Sequence, residues 1–556
     1  NLSLAGGCVN TITLDEKDWS AVLKGSGIEA DPYQIGTAID LRAMKSVLVK
    51  GQTTWFKMMN DIDMSTIDNW MPLNPDEPYE LGINFNGDGH SLKSLKSKDV
   101  KYASFFGVLY GVCHDVKFVD AEIVGDAKSG AGIIGGYIGA KDKAAHIYNV
   151  EASGTVTNNA KGQNVGGLGG NATEAKIENC SVDVTVTNPK GDGTKEGRTA
   201  TGGIVGKTLD NVSIAGCSSK GTVETTAGAS NTYTGGIVGY VANHLTDIGN
   251  CKSYATVKSA GERVGGIVGH YEGGILQSCE FHGEVNAKSQ YAGGIAGITA
   301  ELARIKNCIS AGTIVGQKRC GGIVGMNEDN LYVYYCESSA TITANGSSED
   351  IGGILGRAEK GAVADIGDCV FSGVLTAASG QRVGGIAGDL CINSSVRQCY
   401  VSGAITGWCG VGGVVGRAAG LSWKADDSYK NTIEGCIAWF DNITATRAAG
   451  EDGASSGIIV GFTSTKNTLS ECFRKRSATL TAKYCSDVYD QRDASSTDPL
   501  YVQSAESGYN NIYPYHGRVM TGSSTSDPDP SASEIAQKCG WGTSFWDLSG
   551  SEPKLR

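Results

Sequence analysis

Apolar and polar positions alternate along this chain in short runs, and the runs return at a fixed interval. A five-residue phrase, Gly-Gly-Ile-Val-Gly or a near variant, begins at Gly202, Gly235, Gly265, Gly293, Gly321, Gly352, Gly384 and Gly412, with looser copies at Ala103, Ala131, Gly166 and Gly457. The twelve copies are spaced 28 to 45 residues apart. A second phrase follows most copies. Cysteines stand at Cys180, Cys217, Cys251, Cys279, Cys308, Cys336, Cys369, Cys399, Cys436 and Cys472. Three residues before each lies an aliphatic residue, as in Ile305-x-x-Cys308 and Val333-x-x-Cys336. After the cysteine the chain alternates, as in Cys308-x-Ser310-x-Gly312-x-Ile314. Period two over seven residues predicts a strand with one buried face. The aliphatic-x-x-Cys spacing breaks that period and predicts a bend or bulge just before each cysteine.

One repeat therefore holds about three short strands and cannot bury its apolar side alone. Stacking successive repeats completes the core and the hydrogen-bond ladder. The predicted fold is all-β: a parallel β-helix, or β-solenoid, of right-handed sense with about a dozen coils and short helices in its terminal caps. At ~4.8 Å per coil the column is about 55–60 Å long. Glycine in each turn permits positive φ and lets one coil lie close on the next. The polar insertions Asn188–Arg198, Leu421–Thr432 and Thr446–Ser456 belong on the surface.

Three regions follow. Residues 1–102 form an N-terminal capping region. It has one helix predicted over 37–49, where Thr37-Ala-Ile-Asp40 reads as a capping box. Residues 103–484 are the solenoid. Residues 485–556 form a C-terminal capping region with a second capping box, Ser531-Ala-Ser-Glu534, and an aromatic plug for the last coil in Trp541, Phe545 and Trp546.

Composition agrees. The 80 glycines with only 10 prolines exclude collagen and disordered linkers. A net charge of −12 argues against nucleic acid or an anionic membrane surface as a general partner. No apolar run is long enough to span a membrane. Leu4-Ala-Gly-Gly-Cys8 loosely resembles the end of a bacterial lipoprotein signal. The leucine stands one place too far from Cys8, however, and the charged and long apolar regions are missing. An ordinary processed N-terminus is therefore favoured over a lipid anchor at Cys8.

The phrases together resemble the GLUG-motif repeats of bacterial surface proteins, repeats also found in IgA-specific metalloproteases. Gly25–Tyr33, Asn60–Met64, Phe85–His90 and Gly540–Gly550 resemble the segments that flank such repeats. The resemblance implies an adhesin-like protein, secreted or held on a bacterial cell surface such as the outer membrane. It implies no defined ligand.

Catalytic and metal signatures are sparse. None of the seven histidines opens His-Glu-x-x-His, and no Gly-x-Ser-x-Gly occurs in a strand–helix context. Tandem calcium-binding nonapeptides are absent, and Asp61 and Asp63 read as solvated carboxylates at a strand end. The expectation is a protein that is no enzyme and carries no metal or cofactor. The ten spaced cysteines read as a buried ladder of free thiols, because in-register neighbours have nearly parallel Cβ vectors. Cys8, Cys320, Cys391, Cys409, Cys485 and Cys539 lie off the ladder, and a Cys485–Cys539 bridge is an open alternative.

One row suggests a binding surface. Two residues before successive Gly-Gly pairs stand Tyr233, Arg263, Tyr291, Arg319, Asp350 and Arg382. By alternation the row points outward, where tyrosine rings could stack on sugars and arginine forks hold carboxylates or sulfates. The competing reading is a supporting cation–π ladder. A second row (Lys207, Tyr240, His270, Met326, Arg357, Arg417) reads as a variable turn. The functional expectation is a binding protein offering a long face to glycans or host surface proteins. The alternatives are a polysaccharide lyase or hydrolase, and a passive stalk.

Overall fold

A computed structural model describes residues 23–75, 80–125, 130–159, 161–189, 199–228, 231–359, 361–418, 430–447, 456–464, 467–482, 512–515, 517–520 and 529–556. They form one parallel β-solenoid of about 11 turns, all-β apart from short helical pieces. Most of the three polar insertions fall outside these residues.

In register, Ile214 pairs with Ile248, then Leu276, Ile305, Val333, Ile366, Val396, Ile433 and Leu469, so one aliphatic column runs down the core. The bend expected before each cysteine is a left-handed residue: Asn250 (φ 53°), Ser278 (54°), Asn307 (53°), Tyr335 (57°) and Asp368 (50°) each precede one. A single left-handed residue turns the chain a corner, and the aliphatic and the cysteine three residues later then both face inward. Asparagine tolerates this conformation better than most side chains.

The Gly-Gly-Ile-Val-Gly phrase forms a tight arch between two strands, such as Lys318–Gly321 and Val324–Asn327. Its glycines are required by close approach rather than by positive φ, since none of Gly321, Gly322 and Gly325 is left-handed. A Cβ on Gly321 would overlap the Val324 carbonyl oxygen across the arch. One on Gly322 would overlap the Gly353 carbonyl oxygen of the next coil and the Ser338 hydroxyl. One on Gly325 would lie 2.9 Å from the Arg319 carbonyl oxygen and closer still to that of Gly297 in the preceding coil. The arches bond coil to coil through Gly322 N–H to Gly352 O (3.2 Å) and Ile323 N–H to Ile354 O (3.0 Å).

The parallel ladder continues into the N-terminal region. Tyr33–Ile35 lies on Thr53–Met58, which lies on Gly82–Asn86, which lies on Gly111–Gly125. Here Val150 and Val116 take the place of the ladder cysteines, and Phe85, Phe105, Phe106 and Phe118 fill the core in edge contact. The helix expected over 37–49 is shorter: α1 (Ala38–Ala43), opened by the Thr37–Asp40 capping box, passes into a 3-10 turn over Met44–Val47.

At the other end, Ile512–Tyr515 pairs antiparallel with Val460–Ser464 and covers the last coil's edge. The helix α2 (Ala532–Lys538) has its Ser531–Glu534 capping box. The aromatic residues beside it do not plug the last coil. They lie along the flank, where Trp541 and Trp546 cover Val370, Tyr400, Ile437 and Phe473. Trp546 Nε1 donates to Asp368 Oδ1 (2.7 Å), Trp541 Nε1 donates to the Gly435 carbonyl (3.1 Å), and Phe545 stacks on Tyr335. The four covered side chains each directly follow a ladder cysteine. In earlier coils that place holds Ser218, Lys252, Glu280 and Glu337, which need no cover, and Ile309, which is left exposed.

Gly322→Ala is expected to lower stability by about 1–3 kcal/mol through overpacking. Gly542→Ala, where a Cβ would meet nothing within 4 Å, is expected to be nearly silent. Denaturant midpoints of the two variants check this; equal midpoints would contradict the steric role of the arch.

Candidate functional site

Cys180, Cys217, Cys251, Cys279, Cys308, Cys336, Cys369, Cys399, Cys436 and Cys472 are all buried and free. Most thiols point at the main-chain carbonyl of the aliphatic column in the preceding coil: Cys217 to Ile177 O (3.6 Å), Cys308 to Leu276 O (3.8 Å), Cys472 to Ile433 O (3.5 Å). Cysteine fits because it is small and apolar yet carries a weak donor. Burial pushes the thiols of Cys308, Cys399, Cys436 and Cys472 well above their ordinary range, which leaves them unreactive. Cys320, Cys391 and Cys409 are likewise buried and free, and Cys539 is free and half-buried. Cys8 and Cys485 lie outside the described residues, and with Cys485 the Cys485–Cys539 pairing.

The Tyr/Arg row does not stand out to solvent. Tyr233 is 3% exposed, Arg382 7% and Asp350 0%. Alternation places the apolar neighbours Val264, Ala292, Cys320, Ile351 and Val383 in the core, as expected, with the row on the other side of the strand. That side is covered by the second row. Arg263, Tyr291, Arg319, Asp350 and Arg382 are left-handed, with φ between 52° and 64°. Their side chains swing against the second row, which is a strand column rather than a variable turn: Lys207, Tyr240, His270, Ile298, Met326, Arg357, Asp389 and Arg417 pair in succession.

The two rows close on each other as an internal zipper. Tyr233 stacks on Tyr240 with ring centroids 4.6 Å apart. The Arg263 guanidinium lies between the rings of Tyr233 (5.3 Å) and Tyr291 (5.8 Å), and Arg319 covers the other side of Tyr291 (5.2 Å). Further along, charge replaces aromaticity. Asp350 contacts Arg319 (3.8 Å), Arg357 (3.2 Å) and Arg382, and Asp389 takes a two-pronged bond from Arg417 (2.7 and 2.6 Å). Both aspartates are fully buried. These contacts tie successive coils together at the arch, although Arg357 Nε makes no hydrogen bond among the described residues.

An open trough of about 640 Å³ lies on a different set of strands. Buried Ala145, Ala175 and Val212 make its base. His146, Lys176, Ser213 and Asp247 rise along one side, one per coil and in register, with Glu174, Asn211 and Leu245 on the other. The outward column continues through Ile275, Arg304 and Tyr332. Ile275 is 40% exposed and Tyr332 38%. His146 and Lys176 both bond Glu178 (2.8 and 2.9 Å), and Asn211 Nδ2 donates to Glu174 (2.8 Å). Sequence reasoning passed over this column because its members share no residue type; only the register of the stack unites them.

Among the described residues no His, Cys, Asp or Glu side chains gather as a metal-holding group, and no helix is long and apolar enough to cross a membrane. Asp61 is held by the Ser91 amide (3.0 Å) and Lys93 (3.3 Å), and Asp63 by the Ser65 amide (2.9 Å), which makes them turn and strand-end supports.

Three likenesses accompany this geometry. Residues 161–187 match the model of the GLUG motif. Halomucin of Haloquadratum walsbyi is 29% identical over 179 residues, which is 31% of this chain and 2% of halomucin, so the chain spans a small fraction of that relative. The solved structure of a putative immunoglobulin A1 protease from Bacteroides ovatus aligns over 96% of this chain and 94% of that chain, at 21% identity and a TM-score of 0.27.

Replacing Asp389 by Ala removes the two-pronged partner of buried Arg417 and is expected to cost about 3–5 kcal/mol. Replacing exposed Asp441, paired only with Lys475 at the surface, is expected to cost under about 1 kcal/mol. Thermal or denaturant unfolding of both variants checks the contrast, and similar losses would contradict the zipper.

Proposed function

We propose that this GLUG-motif β-solenoid is a secreted or cell-surface binding protein, adhesin-like in use, that holds a glycan or a host surface protein along its length without turning it over. The observation that supports this reading is the axial trough. Parallel stacking sets one outward side chain every ~4.8 Å along a straight line. The line from His146 to Tyr332 offers hydrogen-bonding groups first and apolar faces afterwards. A repeating polymer laid parallel to the axis would meet an equivalent place at each coil.

Two further features suit work outside the cell. The ten ladder thiols are sealed in the core, and burial raises the pKa of Cys308, Cys399, Cys436 and Cys472, so oxidants find no ready thiolate at these four. The aromatic flank of the C-terminal segment clamps four coils. The Tyr233, Arg263, Tyr291, Arg319 and Arg382 row enters this reading as the internal support of the face rather than the face itself.

The test is an array of glycans and host proteins probed with the full chain. Ser213→Trp, which fills the trough, is expected to weaken capture at least tenfold, while Tyr291→Phe leaves it unchanged. Capture that ignores Ser213→Trp, or release of reducing ends or unsaturated uronates from a bound polysaccharide, would sink the reading.

A further inference from the structure

We infer that the trough selects a neutral glycan and rejects polyanionic ones; this rests on the glycan reading of the same trough. The lining carries two basic side chains, His146 and Lys176, against two carboxylates, Glu174 and Asp247. Both basic groups are already committed to a third carboxylate, Glu178, at 2.8 and 2.9 Å. From His146 to Asp247 a uronate or sulfate chain would therefore meet no uncommitted cation and would run past three negative groups, on a molecule of net charge −12; the cation farther along the column, Arg304, lies over the Tyr332 ring.

Hydroxyls meet the opposite situation. Asp247 is exposed and makes no hydrogen bond or ion pair among the described residues, and neither does the half-buried Ser213 beside it. A carboxylate is acceptor-only and a serine hydroxyl both donates and accepts, so the pair suits vicinal hydroxyls, which supply donors at short spacing. One coil beyond stands Ile275, and two coils beyond that Tyr332, with Arg304 6.0 Å over its ring. These exposed apolar faces suit the C–H faces of sugar rings, which a polyanion's charged shell would keep wet. The base of buried Ala145, Ala175 and Val212 leaves room along the axis for a polymer strand.

The experiment is native affinity electrophoresis of the full chain through gels containing hydroxyethyl cellulose, linear xylan, polygalacturonate or heparin. Circular dichroism checks that the Asp247→Ala and Asp247→Lys variants stay folded. A neutral polymer is expected to retard the chain, with Asp247→Ala weakening the retardation at least tenfold, and the polyanions are expected to leave mobility unchanged. Asp247→Lys is expected to introduce retardation by polygalacturonate or heparin. Retardation of the unmodified chain by a polyanion and by neither neutral polymer overturns the inference while leaving a glycan-binding protein. Retardation by none of the four overturns both. Neutral-polymer retardation that survives Asp247→Ala overturns the assignment to this trough.

Discussion

At each arch two backbone segments of one coil approach each other and the next coil so closely that no Cβ fits between them. Gly321, Gly322 and Gly325 show the constraint in one coil, and the same three places recur at Gly352, Gly353 and Gly356. Everything else in the column follows from that contact. It fixes where each coil turns, which sets the register, which lines up aliphatics over aliphatics and thiols over carbonyls. A single coil exposes too much apolar surface to persist, so the arch matters by making neighbours superimposable rather than by any strength of its own.

Register then converts scattered residues into columns, and columns into properties. The cysteines become a dry file of weak donors. The two rows flanking the arch become a zipper whose first half is built on Tyr233, Arg263 and Tyr291 and whose second half is built on Asp350, Arg382 and Asp389. Buried ion pairs are costly to desolvate and add little net stability. Their value here is geometric, because an arginine between two aspartates of successive coils fits only when the coils are in step.

Much of this was legible in the chain. The repeat interval, the aliphatic-x-x-Cys phrase and the bend before Cys251 or Cys308 follow from periodicity alone. What misled was the cover. Counting alternate positions put Val264, Ala292 and Cys320 in the core correctly, but the other side, which carries Arg263, Tyr291 and Arg319, is closed by a second row whose approach depends on the fold of the arch. Of the two reasons expected for the glycines, close approach of coil on coil holds at the arch, and freedom of φ does not. A readable signal was passed over at the C-terminus: the residue after each ladder cysteine changes from Ser218 and Lys252 to Val370, Tyr400, Ile437 and Phe473, which marks a flank awaiting the cover that Trp541 and Trp546 provide.

The proposed binding surface is therefore separate from the supporting one, with the zipper covered and the trough open. Both depend on unbroken contact from arch to arch, and native-state hydrogen exchange measures that contact directly. The amides of Gly236, Gly266, Gly322, Gly353 and Gly385 donate to carbonyls of the following coil at 3.0–3.2 Å. Stacking requires these five to exchange only through global opening, as slowly as the amides of the aliphatic column. Exchange of these glycines near the rate of an unprotected peptide, while the aliphatic column stays protected, would contradict it.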